Sequence, residues 1–501
     1  MVASVLAVLA GLHAINALPV GVFYDDALYV ILGKSMAAGT GYRYLNIPGH
    51  PAATHFPPGY PALLAVLWRV MPQFPENVAL FKTVNAMLLA PIAWFAYHFA
   101  RERLTVTEGS AALGAIAGTA AIPMLVLSSS VMSEPLFLAL LLPVLLIAER
   151  ETERATIRGA VLLGLASGLL CLVRSHAVVL IPAIAMVYAL RRHNRAAVAV
   201  TASGVAMLMP WLIWVMLHDA ALPVMLRGSY GSYSAWFAQG LRDGGLGLLA
   251  ATVRENVVTS AVITARSFSI AGGVVLSAVA VAGVLVLVAA GARTLAARAR
   301  VTLAFALMYA SLALVWPFSP LRFVWGIWPL LVLVMLGGAK RLFEFRPARQ
   351  ATTIARWVGL ALATSVFVGA LVFNVRGYAN DWWATVGRST TPRILPQLTW
   401  VAAHTRPEDV IVAEDEGAVF LYTGRLAVPA GEFKAIQYVR ERRATDNARE
   451  LSTIIRDFGA LYVIAWAKPT LEAAEFLAGT RPPLLVQVDT FGGARVLRRS
   501  R

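Results

Sequence analysis

The sequence predicts a polytopic α-helical membrane protein with about eleven spans and a C-terminal α/β domain outside the cytoplasm. Of its 501 residues, 58% are hydrophobic and only 14% are charged, whereas about 25% of the residues in an ordinary soluble domain are charged. The basic residues interrupt long apolar runs, as they do at membrane surfaces. The acidic residues gather near the end of the chain, where 14 of the 27 Asp and Glu lie in residues 375–501.

The composition also excludes several classes of protein. A water-soluble enzyme is excluded because so few charges cannot cover its surface, and disorder is excluded by the high apolar content. The net charge of +16 does not indicate nucleic-acid binding, because the basic residues are spread among apolar runs. The single cysteine, Cys171, allows neither an intrachain disulfide nor a cysteine-based zinc site. The sequence lacks the phosphate-loop and Gly-x-Gly-x-x-Gly nucleotide motifs.

Eleven apolar stretches are candidates for membrane spans, because a helix that crosses the bilayer needs about 20 mostly apolar residues. They are residues 2–18, 78–100, 110–127, 135–148, 159–173, 177–190, 197–217, 268–290, 301–316, 322–338 and 354–374. Residues 58–72 are also apolar, but their prolines and short length predict a helix that lies in the membrane interface.

The distribution of Lys and Arg predicts the orientation of these spans. With the N-terminus in the cytoplasm, the short cytoplasmic loops hold 16 basic residues, Arg349 among them, and the longer outer loops hold nine. An odd number of spans then places the end of the chain outside, on the same side as the first outer loop, 19–77. The sequence therefore predicts a membrane domain, 1–374, and an extracytoplasmic domain, 375–501.

The extracytoplasmic domain alternates between two regular patterns, which predicts a small α/β fold. Strands are predicted at residues 410–413, 418–422, 461–465, 484–488 and 494–497. Helices are predicted at residues 394–404, 432–443, 446–458 and 470–478. Within the membrane domain, the Gly-rich outer loop 218–267 carries Tyr230, Tyr233 and Trp236 and is long enough to cover a site.

Two adjacent carboxylates, Asp25 and Asp26, directly follow the first span. Carboxylates next to hydrocarbon are expensive to desolvate. One interpretation is that they are acids in the first turn of a helix over 26–38. The other is that a carboxylate at the membrane surface acts as general base on a hydroxyl group. The apolar helix after the pair and the proline-rich stretch 55–61 favour the second interpretation.

The order of these features resembles the bacterial GT-C glycosyltransferases, and in particular the protein O-mannosyltransferase and aminoarabinose transferase group. The features are an apolar span, an acidic pair, an amphipathic helix, a Gly-Tyr pair, the stretch Phe-Pro-Pro-Gly-Tyr-Pro at 56–61 and a second apolar helix. Three further matches are Met-Ser-Glu-Pro-Leu-Phe at 132–137, Leu-Arg-Phe at 321–323, and Val-Ala-Glu-Asp at 412–415 with Tyr-Thr-Gly-Arg at 422–425. The usual acidic pair of the group is Asp-Glu, so Asp26 departs from the pattern.

The resemblance implies an inverting enzyme that transfers a sugar from a polyprenyl-phosphate donor to a hydroxyl acceptor of the cell envelope. The reaction is expected on the outer face of the bacterial inner membrane, with Asp25 as general base and Asp26 positioning the acceptor or a cation. The implied partners are the lipid-linked donor, a glycan, lipid or protein acceptor and membrane lipid, without nucleic acid. The sugar, the acceptor and any need for a divalent cation are left open.

The departing phosphate needs cations, and Arg174 and Arg322 are the outer arginines nearest to the ends of spans. Their planar guanidinium groups match the geometry of phosphate, although arginines at span ends also extend to the interface for solvation alone. His55 is assigned to the same phosphate, with an ordinary polar contact as the alternative.

Three residues are assigned to the acceptor or to a metal ion. Glu134 is the only acid in the short outer loop 128–134, and its alternative role is that of a charge at a helix start. His176 is assigned to the acceptor, with a polar contact as its alternative. Tyr60 has the same assignment, and its alternative role is to shape the loop.

Three other functions remain open from the sequence. A lipid-linked polysaccharide polymerase or ligase shares the architecture but uses a lipid diphosphate donor. A secondary transporter usually has internal repeats and polar residues at the membrane midplane, whereas the acids here gather at one membrane face. A non-catalytic envelope scaffold would depend on residues 375–501 alone.

The orientation is testable with reporter fusions. A phosphatase fused after Val375 should be active because that position is outside the cytoplasm, and a phosphatase fused after Arg192 should be inactive. A fluorescent reporter that folds only in the cytoplasm should give the opposite pattern. Cytoplasmic fluorescence of the Val375 fusion would contradict the orientation.

Overall fold

The computed structural model describes residues 1–346 and 350–500, so Arg349 of the predicted cytoplasmic loops lies outside the described residues. Helices form most of the chain up to residue 404. The first of them are α1 (Val2–His13), α2 (Asp25–Ala37), α3 (Gly59–Val70), α4 (Val78–Met87), α5 (Leu89–Phe99), α6 (Glu108–Thr119), α7 (Ile122–Ser128), α8 (Glu134–Arg154), α9 (Ile157–Val173), α10 (Leu180–Leu190), α11 (Asn194–His218) and α12 (Arg227–Tyr230). They continue with α13 (Tyr233–Phe268), α14 (Val274–Arg298), α15 (Arg300–Val315), α16 (Leu321–Trp325), α17 (Trp328–Glu344), α18 (Gln350–Ala379) and α19 (Thr385–His404).

Five stretches of helix in the described ranges are long and apolar enough to cross a membrane. They are Val78–Leu104, Asn194–Ala221, Tyr233–Phe268, Val274–Arg298 and Thr352–Ala379. The pair α6 and α7, bent by 50°, makes a sixth if it is one span. The predicted count of eleven is therefore not confirmed. Several of the other candidates are shorter apolar helices, such as α9 and α15, and α8 ends in a run of charged residues.

α13 consists of two helical parts joined by a kink at Gly245, where φ is 55° and ψ is −149°. It is the largest departure from the sequence prediction, because it occupies most of the predicted outer loop 218–267. Trp236 near its start packs on Trp316 with ring centroids 5.7 Å apart. The last residue of α13 stacks on Trp328 at 5.4 Å. Trp316 and Trp328 flank α16 in the chain, so both ends of α13 contact residues close to α16 in sequence.

The C-terminal region (residues 385–500) contains a sheet of five strands. Its elements after α19 are β1 (Ile411–Ala413), α20 (Glu416–Thr423), β2 (Ala427–Val428), α21 (Ala444–Asp457), β3 (Tyr462–Ala465), α22 (Lys468–Ala478), β4 (Leu485–Phe491) and β5 (Ala494–Arg499). The strand order is β2-β1-β3-β5-β4. β1 pairs in parallel with β2 and β3, and β5 pairs antiparallel with β3 and β4.

Two predicted elements of this region are wrong. Residues 418–422 were expected to form a strand but lie in α20, because a run of five apolar residues fits either pattern. Gly424, with a φ of 73°, ends that helix in the way typical of a C-terminal glycine. Residues 432–443 were expected to form a helix, and only the short 3-10 turn Ala435–Tyr438 forms there. The remaining predicted elements are observed with boundaries shifted by a few residues, except that α19 begins nine residues earlier than its prediction.

One apolar core joins the helices α2 and α3 to the C-terminal region. α2 and α3 contribute residues such as Ile31 and Leu64, and the sheet contributes Val412 and Val463. A second core fills the helix bundle. The turn between α1 and α2 is therefore enclosed by two parts of the chain that are far apart in sequence.

Candidate active site

Four charged side chains meet at the end of the helix bundle where α1 passes into α2. Asp25 begins α2 and Glu134 begins α8, so both acids lie at helix N-termini, where negative charge is favoured. Arg174 directly follows α9, and Arg322 lies in the short α16. We refer to these four residues as the charged cluster.

Glu134 is the centre of the charged cluster. Its Oε1 atom lies 2.8 Å from Nη1 of Arg174 and 3.0 Å from Nη2 of Arg322. Arg322 also donates from Nε to the same oxygen at 3.2 Å, and its Nη1 forms an ion pair with Asp25. Arg322 therefore bridges the two carboxylates, and the two negative and two positive charges balance.

The four side chains differ in their access to solvent. The side chain of Glu134 is 0% exposed and that of Arg174 is 10% exposed, whereas Asp25 is 22% and Arg322 28% exposed. A buried carboxylate without a partner would be strongly destabilising, which explains why Glu134 has two arginines. Asp25 and Arg322 are the most accessible members, and Arg174 keeps a small exposed fraction.

Two residues that the sequence analysis did not select support Arg174. Nη1 of Arg174 donates to the hydroxyl of Ser133 at 2.8 Å, and this hydroxyl lies 3.1 Å from that of Tyr29. Ser133 directly precedes Glu134 in the motif at 132–137, so this motif could have identified it as a site residue. Tyr29 lies one helical turn after Asp25 and gave no separate signal.

His176 joins the charged cluster through Arg174. Its Nε2 atom accepts a hydrogen bond from Nε of Arg174 at 2.9 Å, so the ring is neutral and the proton is on Nδ1. The ring is surrounded by Phe137, Tyr309 and Phe323, with centroids 5.3–5.7 Å away. His176 therefore fixes the direction of the Arg174 side chain.

Asp26 points into the backbone of its own turn and does not join the charged cluster. Its carboxylate accepts hydrogen bonds from the N–H groups of Gly21 at 3.0 Å, Phe23 at 3.1 Å and Ala27 at 3.0 Å. Burial raises the pKa of Asp26 to about 6, although the three hydrogen bonds act to lower it. These contacts fix the turn that presents Asp25.

His55 lies beside the charged cluster on a loop held by the segment before α13. Its Nδ1 donates to the carbonyl oxygen of Gly231 at 2.6 Å, and its ring packs on Tyr233 with centroids 4.0 Å apart. Burial lowers the pKa of His55. The neutral ring therefore presents Nε2 as an acceptor. Tyr233 belongs to the segment expected to cover a site, and the sequence gave it no specific role.

Tyr60 is fully buried and acts on the loop that carries Glu134. Its hydroxyl and the side chain of Asn85 are 3.0 Å apart, and Nδ2 of Asn85 also donates to the carbonyl oxygens of Ser130 and Met132 at 2.9 and 3.0 Å. These contacts match the alternative role that the sequence left open for Tyr60, the shaping of a loop.

The acids of the charged cluster are already engaged by arginine. In the described parts of the chain, no three His, Cys, Asp or Glu residues are grouped closely enough to hold a metal ion. The two nearest carboxylates, Asp25 and Glu134, are bridged by the guanidinium of Arg322. As they stand, these donors do not fit a divalent cation.

No protein-family model matches the sequence, and no curated protein sequence matches it. Solved structures do match. ArnT from Cupriavidus metallidurans bound to undecaprenyl phosphate aligns with a TM-score of 0.55 over 99% of this chain and 96% of that chain, at 14% sequence identity. ArnT in the apo state gives a TM-score of 0.52 over 99% and 97% of the two chains, at 13% identity. The chain shares the fold of ArnT.

The likeness to ArnT, an aminoarabinose transferase, confirms the predicted resemblance to the GT-C glycosyltransferases at the level of the fold. Both chains are covered almost completely, so the helix bundle and the C-terminal region together correspond to ArnT. An identity of 14% establishes the fold, and the chemistry has to be argued from the side chains of the charged cluster.

The ion pairs of Glu134 predict how substitutions in the charged cluster change the free energy of unfolding. Arg174→Met should destabilise the protein by about 3–5 kcal/mol, because it leaves a buried carboxylate short of a partner. Adding Glu134→Gln removes that charge and should recover a large part of the loss. Thermal unfolding of both variants in detergent measures the effect, and purely additive losses would contradict it.

Proposed function

We propose that the chain transfers a sugar from a polyprenyl-phosphate donor to a hydroxyl acceptor of the bacterial cell envelope, with inversion at the anomeric carbon. The observation that carries the proposal is the charged cluster, in which one carboxylate accessible to solvent lies beside two arginines at one end of an apolar helix bundle. The fold shared with a protein that binds undecaprenyl phosphate supports the same choice of donor.

The proposed reaction is a single displacement. The acceptor oxygen attacks the anomeric carbon while the bond from that carbon to the phosphate oxygen breaks, and the phosphate leaves with the electron pair. Asp25 takes the proton of the acceptor hydroxyl. A general base of this kind contributes about 10²–10⁴-fold to the rate.

Arg322 and Arg174 are the proposed phosphate ligands. The hydrogen bonds of Arg322 to Asp25 and Glu134 use three of its five N–H groups. The others remain for the phosphate oxygens, which guanidinium groups bind in pairs. His55, whose Nε2 accepts hydrogen bonds, suits a hydroxyl of the sugar better than the phosphate to which the sequence assigned it, because the donor phosphodiester carries no proton.

The remaining predicted residues have supporting roles in this proposal. Glu134 sets the position of both arginines, and His176 orients Arg174 from the opposite side. Asp26 fixes the turn before α2, and Tyr60 fixes the loop before α8. The acceptor is proposed to approach from the side of Asp25 and Tyr233, because Glu134 is enclosed by its own partners.

The reaction is proposed to occur on the outer face of the bacterial inner membrane. The excess of Lys and Arg on the opposite loops supports this orientation, and cytosolic sugar nucleotides are absent on that side. A lipid-linked donor reaches the charged cluster from the membrane, because the apolar helices surround it.

Asp25→Asn is expected to leave the protein folded and to lower the turnover number by about 10²–10⁴-fold. Asparagine is nearly isosteric and still accepts a hydrogen bond from Arg322, but it cannot take the acceptor proton. Complementation of a deletion strain, followed by mass analysis of its envelope glycans, measures the loss. Asp26→Asn should have a milder effect on transfer, and the opposite ranking would assign the base to Asp26.

Arg322→Ala should weaken binding of undecaprenyl phosphate. If the positive charge alone mattered, Arg322→Lys would keep most of the native affinity. Because Arg322 offers paired N–H groups, we expect the lysine variant to bind at least about 10-fold more weakly than the native protein. Titration monitored by native mass spectrometry gives the affinities. Arg388→Ala is the matched control, since Arg388 is 51% exposed and pairs only with Asp381 in the described contacts. Equal loss in the control would contradict a specific site.

A further inference from the structure

A carboxylate of the C-terminal region reaches the residue that directly precedes the proposed base. Glu416 is the first residue of α20 and is fully buried. Its Oε1 atom accepts hydrogen bonds from the hydroxyls of Tyr24 at 2.7 Å and Tyr230 at 2.8 Å. Tyr24 is bonded covalently to Asp25, so the C-terminal region acts on the residue next to the base.

The backbone of Tyr24 needs this support. Its φ is 64°, a value uncommon for any residue other than glycine and costly for a bulky aromatic one. Such a conformation persists only where the surrounding structure imposes it, and it is often found at active sites. The side chain of Tyr24 is anchored at its far end by Glu416, and this contact holds the residue while α2 begins at Asp25.

Other contacts of α20 surround the same turn. A Cβ atom added at Gly21 would lie only 2.6 Å from Cβ of Ala418, and one added at Gly417 would lie 2.8 Å from Cβ of Ala27. The N–H group of Val20 donates to the hydroxyl of Tyr422 at 2.9 Å. α20 is therefore in close contact with the chain on both sides of Asp25.

We infer that Glu416 is a positioning residue for transfer, which holds Tyr24 and thereby sets the direction of the Asp25 carboxylate. The inference rests on the proposed function, because it assigns Glu416 to the base of that reaction. It makes the C-terminal region part of the active site, although none of its residues belongs to the charged cluster.

The contact requires an acceptor oxygen, and it does not require a negative charge. Both hydroxyls donate to Oε1, and Oε2 of Glu416 has no hydrogen-bond partner among the described residues. Burial raises the pKa of Glu416 to about 7. A glutamine, which carries a carbonyl oxygen in the same place, should therefore replace Glu416 with little loss.

The first test is hydrogen exchange of the full-length protein in detergent. Glu416→Ala should raise amide exchange in residues 22–28 by about tenfold, since about one hydrogen bond that stabilises the turn is lost. Tyr24→Phe removes the same contact from the other side and should give the same result. Glu416→Gln should exchange as the native protein does. Unchanged exchange in both Glu416→Ala and Tyr24→Phe would overturn the inference.

The second test measures transfer with the same variants, by mass analysis of envelope glycans in a complemented deletion strain, normalised to folded protein. Glu416→Ala and Tyr24→Phe should lower transfer by about 10- to 100-fold, because a displacement of about 1 Å has that effect on catalysis. Their affinity for undecaprenyl phosphate should stay within twofold of the native value. Glu416→Gln should restore transfer, and its failure to do so would contradict the positioning role.

Tyr438→Phe is the matched control. The hydroxyl of Tyr438 donates to Oδ1 of Asn256 at 2.6 Å and so also joins the C-terminal region to the helix bundle, in a contact that includes no residue of the charged cluster. The Tyr438→Phe variant should transfer sugar at the native rate. If it lost as much transfer as Glu416→Ala, Glu416 would be one contact of a general interface and not a positioning residue. A native protein that transfers sugar to no envelope glycan, lipid or protein would refute the proposed function alone, because the exchange experiment does not depend on a donor.

Discussion

The buried carboxylate of Glu134 is the constraint on which the arrangement of this end of the helix bundle depends, where α1 passes into α2. An uncompensated charge there costs several kcal/mol, so α8 is stable in its position only with Arg174 and Arg322 beside it. Apolar helices in lipid have little preference for one register over another, because lipid is as apolar as their side chains. The ion pairs of Glu134 supply that preference and draw three distant chain segments, with Asp25, to one point.

In the charged cluster, the side chains that hold the arginines in place differ from the side chains that are proposed to react. Glu134, Ser133 and His176 occupy the enclosed side of the charged cluster and hold the two arginines. Asp25 and Arg322 occupy its accessible side. The proposed site would need little rearrangement to bind an anionic phosphate, and preorganised charges contribute strongly to catalysis in enzymes generally. The C-terminal region also contributes a positioning contact, since Glu416 holds Tyr24, the residue before the proposed base.

The sequence predicted the charged members of the site because charges are rare in it. Asp25, Glu134, Arg174 and Arg322 each stand at the end of an apolar run, and that position selected them together with the resemblance to the GT-C glycosyltransferases. Their mutual contacts, and the turn contacts of Asp26, depend on the packing of helices and could not be derived from spacing. Tyr24 and Glu416 are 392 residues apart, and no local pattern connects them. The mostly helical fold class and the helices α2 and α3 were also predictable, whereas α20 and α13 were not, because short apolar runs and Gly-rich segments fit more than one structure.

The proposed phosphate site is tested most directly by a structure of the protein determined by electron cryo-microscopy with undecaprenyl phosphate added. We expect density for the phosphate within hydrogen-bonding distance of the guanidinium groups of Arg322 and Arg174, with the lipid chain leaving between the apolar helices and Asp25 facing the phosphate. Phosphate density away from both arginines, or on the opposite end of the bundle from Asp25, would contradict it.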